Sequence, residues 1–136
     1  MAFTLERAIS LAAQAHEGQL DKTGQPYILH PLRVMLKVSS LYEQMTAILH
    51  DVLEDTTLTA EALKAEGCPE EVLEALDALT RRKGEKYLDE YILRIKKNPI
   101  AKSVKLSDLA DNLNPLRGYD NKSLRERYAR AIKILI

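Results

Sequence analysis

Tryptophan is absent from this 136-residue chain, and phenylalanine and cysteine each occur once. With so little aromatic bulk the core has to come from Leu, Ile, Val and Ala, a set that favours helices over sheets. The lone Cys68 excludes an intrachain disulfide, and nothing points to an oxidising compartment. An excess of charge is lacking too. Twenty Lys and Arg balance twenty Asp and Glu, so no global field draws the chain to nucleic acid or an anionic membrane. No apolar run approaches the ~18–20 residues that a bilayer span needs. The opening MAFTLERAIS mixes acidic and basic residues where a secretory signal is apolar. These absences lead us to expect a cytoplasmic protein with no nucleic-acid or membrane partner. What is present is ordinary globular composition, 46% hydrophobic and 29% charged. Its length suits one domain over 1–136.

Helical periodicity runs almost throughout. Leu5 to about Glu17 reads as a first helix, with Thr4 as N-cap and Gly18 past its end. A loop from Gly18 to Leu29 follows, and Pro31 suits the first turn of a second helix reaching Ser39. Leu41 to about Glu54 reads as one continuous third helix. Thr59 caps a short fourth that stops at Gly67, and Pro69 opens a fifth through Leu79. Tyr87 to Lys97 gives a sixth, ended by Asn98 and Pro99. A seventh spans Ile100 to about Leu113, and Ser123 to Ile136 forms the last. The predicted fold is an all-α bundle of about seven to eight helices, without repeats or low-complexity tracts.

The chemistry concentrates in the run His50-Asp51-Val52-Leu53-Glu54-Asp55. On a continuous helix, Glu54 lies four residues after His50 and three after Asp51, so the three share a side. Three carboxylates and an imidazole crowded together repel one another unless a cation neutralises them, and a divalent metal accepts both donor types. A solvated acidic helix end is the competing reading of such a run. His30 adds a second imidazole beside Pro31. Asp108 and Asp111 add helix-interior carboxylates among apolar neighbours, a placement that calls for partners. Spacing leaves open which of those two faces inward. His16, at the end of the first helix, reads as structural.

The order His, His-Asp, Asp resembles the ligand pattern of the HD phosphohydrolase superfamily. More narrowly, the chain is similar to the hydrolase domain of RelA/SpoT-type stringent-response enzymes, which remove the 3′-pyrophosphate from (p)ppGpp. The matching strings are AHEGQLDKTGQPYILHP (Ala15 to Pro31), ILHDVLEDT (Ile48 to Thr56) and VKLSDLADNL (Val104 to Leu113). No second block resembles the synthetase or regulatory domains of the long enzymes. The resemblance implies metal ligands at His30, His50, Asp51 and Asp108, choosing Asp108 over Asp111. It implies a catalytic acidic pair at Glu54 and Asp55, and substrate contacts at Lys22 and Asn112. The implied cofactor is Mn²⁺, with Fe²⁺ or Zn²⁺ as alternatives, and the implied partner is a small phosphorylated nucleotide.

Three departures fall around the nucleotide rather than the metal. Asp21-Lys22 stands where the family usually carries a basic pair, Leu109 where a basic residue is common, and Asn114 where an Arg is common. The expected activity is that of a metal-dependent (pyro)phosphohydrolase. An HD phosphatase for another nucleotide and a non-catalytic nucleotide sensor are the alternatives. Lys22, together with Arg117 or Lys105, is expected to offset phosphate charge, and Arg81-Arg82-Lys83 reads as a solvated loop. Oligomeric state is not legible.

Overall fold

The computed structural model describes residues 2–118 and 121–136. Helix starts coincide with short polar side chains that accept otherwise orphaned N–H groups. Thr4 accepts from the Arg7 N–H and opens α1 (Leu5–Ala15). Helix α2 (Leu29–Leu36) begins two residues ahead of Pro31, which still falls in the first turn, where no N–H is needed. Ser40 and Glu43 form a reciprocal capping box at the start of α3 (Leu41–Leu49). The chain then bends at His50 and Asp51 before the single turn α4 (Val52–Asp55).

Thr59 caps α5 (Ala60–Ala65), and Pro69 precedes α6 (Glu70–Leu79). Tyr87–Ile92 is wound as a π-helix that continues into α7 (Leu93–Lys96). Asn98 caps α8 (Pro99–Asn112), a short 3₁₀ turn spans Pro115–Arg117, and Asn121 caps α9 (Lys122–Leu135). Among the described residues there is no β-strand. One antiparallel bridge, Leu20 with Pro26, pinches the loop between α1 and α2. The all-helical class expected from composition is the one found.

Two departures from the expected elements matter. The predicted third helix does not run on to Glu54. It stops at Leu49, because the Nδ1 of His50 lies 2.6 Å from the Ala47 carbonyl and takes up an acceptor of the final turn. A shared face on one continuous helix for His50, Asp51 and Glu54 is therefore not what forms. The predicted sixth helix opens instead in the wider π form, a geometry rare enough to mark a constraint. There the Tyr91 hydroxyl reaches back to the Leu79 carbonyl at 2.6 Å in a buried contact.

Helix α3 is central, packing against α1, α2, α6 and α8. Met45, Thr46, Ala47, Ile48 and Leu49 are all buried, so its second half is enclosed on every side. Val34 of α2, Leu76 of α6 and Val104 and Leu109 of α8 meet it in the core. A buried leucine here contributes about 1.5–3 kcal/mol. Truncating Leu49 to Ala costs about 2–5 kcal/mol, because the enclosing helices leave the cavity unfilled. This packing fixes α2, the end of α3 and α8 relative to one another. No described helix is long and apolar enough to cross a membrane.

Candidate metal centre

Three elements deliver the polar cluster. His30 comes from the first turn of α2, His50 and Asp51 from the bend that ends α3, and Asp108 from the middle of α8. The Ser107 hydroxyl, donating to the Val34 carbonyl at 3.0 Å, pins α8 to α2 one residue before Asp108. Asp108 Oδ1 lies 2.8 Å from His30 Nε2 and 3.2 Å from His50 Nε2. Asp51 Oδ2 lies 3.1 Å from His50 Nε2 and 3.7 Å from His30 Nε2. The two imidazole rings sit 5.3 Å apart, edge to face. His30, His50 and Asp108 are buried, while Asp51 keeps a 19% exposed side chain and so leaves one side open.

The opposite ring nitrogens reveal the tautomers. His50 Nδ1 faces the Ala47 carbonyl, which can only accept, so Nδ1 carries a proton. His30 Nδ1 faces Asp111 Oδ2 at 2.6 Å, and that carboxylate also takes Arg33 Nε at 2.8 Å and Arg33 Nη2 at 3.1 Å. Burial disfavours the Asp111 carboxylate, yet the bonds from His30 and Arg33 outweigh it and hold its pKa well below the usual range. Both Nε2 atoms therefore turn toward the cluster, where they meet carboxylate oxygens. Neutral imidazole lone pairs facing carboxylate lone pairs repel unless a positive charge sits among them. The proton affinities express the same demand. Burial opposes the charged form of His50, but Asp51 and Asp108 prevail and raise its pKa. Burial likewise opposes ionisation of Asp51, yet His50 beside it brings its pKa down to about 2. This donor set, two imidazole nitrogens and two carboxylates, fits a divalent cation. Donor atoms from His30, His50 and Asp51 all lie within 4.8 Å of one another, close enough to share one ion.

Further side chains brace the cluster. The Tyr27 hydroxyl donates to Asp51 Oδ2 at 2.7 Å, and burial followed by Asp51 pushes its pKa up, so it stays a donor. His16 is the C-cap of α1, its Nδ1 lies 2.8 Å from Gln19 Oε1, and its ring packs 5.0 Å from that of Tyr27. Lys105 Nζ lies 3.0 Å from Asp108 Oδ2 and over the Tyr87 and Tyr91 rings. The sequence assigns Tyr27 no role and leaves Asp111 as the alternative to Asp108. Both lie beside predicted ligands in the fold, but only the three-dimensional contact reveals it.

Glu54 and Asp55 stand apart from the four converging groups, on a groove of about 720 Å³ shared with Thr80 to Glu85. The Glu54 carboxylate accepts the backbone N–H of Arg81. Burial raises the pKa of Asp55, with Asp51 and Glu54 adding to it. Of the predicted substrate contacts, Lys22 is exposed on the loop before α2. Asn112 Oδ1 accepts from Arg117 Nη2 at 3.2 Å.

Two expectations need correction. Lys105 and Arg117 do not face solvent ready for phosphate. Lys105 is engaged with Asp108, and the buried Arg117 lies 3.5 Å from Asp111 and 3.8 Å from Asp21. Asp21 itself organises its loop, its Oδ1 accepting from Thr23 N at 2.8 Å, Thr23 Oγ1 at 2.7 Å and Gln25 N at 3.0 Å.

Comparison with known proteins places this arrangement. A family model described as HD domain matches residues 8–133. The guanosine-3′,5′-bis(diphosphate) 3′-pyrophosphohydrolase of Aquifex aeolicus (strain VF5) is 38% identical over 123 residues, covering 82% of this chain and 18% of that protein. The like-named protein of Haemophilus influenzae is 32% identical over 119 residues, covering 78% of this chain and 18% of that protein. The chain thus spans about a fifth of the length of these relatives. A solved structure described as a metazoan ortholog of SpoT that hydrolyzes ppGpp matches with a TM-score of 0.77 at 26% identity. That match covers 96% of this chain and 82% of the other. With its helical frame and its paired histidines and aspartates, the chain belongs to the HD domain family.

Proposed function

We propose that this chain, acting as one domain over 1–136, is a metal-dependent pyrophosphohydrolase for a guanosine 3′,5′-bis(diphosphate)-like nucleotide. The observation that carries the reading is the convergence of His30 Nε2, His50 Nε2, Asp51 and Asp108 with both Nδ1 atoms already occupied. The names of its HD-family relatives support the substrate class. His30, His50, Asp51 and Asp108 would hold the ion; Mn²⁺, which the family resemblance implies, agrees with a mixed imidazole and carboxylate set, with Fe²⁺ or Zn²⁺ as alternatives. A divalent cation in such a site polarises a phosphoryl oxygen and makes water more acidic.

The rest is done by the chain's own groups. Asp111 and the Ala47 carbonyl hold the two rings so that only Nε2 faces inward. Tyr27 keeps Asp51 oriented. Glu54, on the groove beside the bend at Asp51, takes a proton from the attacking water at its carboxylate, and Asp55 orients it by hydrogen bonding. Water oxygen bonds to phosphorus, the bond from phosphorus to the ribose 3′-oxygen breaks, and that oxygen takes up a proton. Pyrophosphate leaves with the 5′-phosphorylated nucleoside.

A second reading, another nucleotide as substrate, draws on Asp21. Its carboxylate closes its own loop where the family usually presents a cation. Mn²⁺-loaded protein assayed against guanosine 3′,5′-bis(diphosphate) and a panel of other nucleotides decides between the two. Faster pyrophosphate release from the first substrate supports the proposal, and release from another nucleotide alone replaces it with the second reading.

A further inference from the structure

A chain with no net charge has to assemble locally the positive potential that a polyphosphate needs. Most cations around the centre are already engaged. Lys105 pairs with Asp108, and Arg33 and Arg117 with Asp111. Arg94 is tied to Glu85 and to the carbonyls of Ala78 and Thr80. Beside Glu54 and Asp55 there remain the three consecutive cations Arg81, Arg82 and Lys83, all exposed.

Their loop is anchored through its backbone. The Arg81 N–H donates to Glu54, the Arg82 N–H donates to Glu85 Oε1 at 3.0 Å, and Arg81 Nη2 donates to the Glu85 carbonyl at 3.1 Å. The outer side chains are held far more loosely. Arg82 pairs at 3.0 Å with Asp77, itself 74% exposed, and such pairs contribute little. Lys83 makes no ion pair among the described residues. The loop therefore carries two exposed cations, Arg82 only loosely paired, on a groove it shares with Glu54 and Asp55 of α4. Glu54 and Asp55 lie on the single turn that follows Asp51, so the groove adjoins the bend that supplies two of the candidate ligands.

We propose that Arg82 and Lys83 bind the phosphate oxygens of a diphosphate-bearing ligand whose other phosphate lies at the His30, His50, Asp51 and Asp108 cluster. This rests on the phosphohydrolase reading for the second phosphate, while the loop's affinity for the anion can be measured without turnover. It assigns a function to a segment that otherwise reads as solvated surface.

Calorimetric titration of Mn²⁺-loaded protein with inorganic pyrophosphate and with orthophosphate tests it. Wild type binds pyrophosphate more tightly. Arg82→Gln/Lys83→Gln loses about tenfold or more for pyrophosphate, since charge-assisted bonds to phosphate are lost, and keeps its orthophosphate affinity. Lys96→Gln/Lys97→Gln, which removes two exposed cations at the C-terminal end of α7, changes neither. Absence of pyrophosphate binding by wild type, an unchanged affinity in the loop variant, an equal loss for both anions, or an equal loss in the α7 variant overturns the proposal. Should the protein bind pyrophosphate through this loop and hydrolyse no nucleotide, the functional reading fails and the anion site stands.

Discussion

Asp111 Oδ2 lies 2.6 Å from His30 Nδ1, with Arg33 gripping the same carboxylate through two nitrogens. The carboxylate decides which nitrogen of His30 is protonated, and therefore which one faces the cluster. Asp111→Asn keeps the shape and removes the charge. Partners of this kind contribute ~10–100-fold to metal affinity, and a loss in that range is expected for Mn²⁺ in a competition titration with a chelator. An unchanged affinity removes Asp111 from the account.

Glu54 is the candidate proton acceptor, and it does not converge with the four inward groups. Glu54→Gln should therefore retain the metal and lower kcat by ~10²–10⁴-fold, the range typical of acid–base groups. Full activity in this variant reassigns the proton to another group.

Lys105 is the cation closest to Asp108, at 3.0 Å with an 11% exposed side chain. Replacing it with Met leaves a buried carboxylate short of a partner, a change that costs about 3–5 kcal/mol in comparable pairs. Chemical denaturation of metal-free protein should register most of that loss. Mn²⁺ should recover part of it, because a second positive charge then serves Asp108. Equal losses with and without metal argue against a shared role.

Cys68 is 6% exposed, and burial, followed by Glu70, pushes its thiol pKa up to about 11 from 9.0. A raised thiol pKa favours the protonated form in the folded state. Its stabilising contribution is complete below pH 9.0 and is lost as pH rises through about 11. The melting-temperature advantage of wild type over Cys68→Ala should shrink between those values, and a constant gap would count against this environment. At neutral pH the thiol should react slowly with disulfide reagents until the chain unfolds.

The helical class and the caps Thr4 and Thr59 were legible in the sequence because they depend on local chemistry, whereas Ser40, Asn98 and Asn121, equally local, were not singled out as caps. Thr4, Ser40, Thr59, Asn98 and Asn121 each act within three residues of themselves. The break after Leu49 was not, since it depends on which acceptor the His50 ring selects. The candidate ligands were legible through motif order, which is one-dimensional. Tyr27 reaches Asp51 across 24 positions, which spacing did not signal, and Asp111, marked by its helix-interior placement as needing a partner, finds His30 81 positions away, a partner spacing could not name. Asp21 reads by sequence as an altered nucleotide contact. In the fold it closes a tight loop, a role that depends on Thr23 and Gln25 turning back toward it.

Metal content measures the central claim most directly. Purified wild-type protein equilibrated with Mn²⁺ and freed of excess ion should carry one metal per chain, and Asp108→Ala should carry almost none while remaining helical. Equal metal retention by the two proteins, or none by wild type, would contradict a shared ion held between α2, the end of α3 and α8.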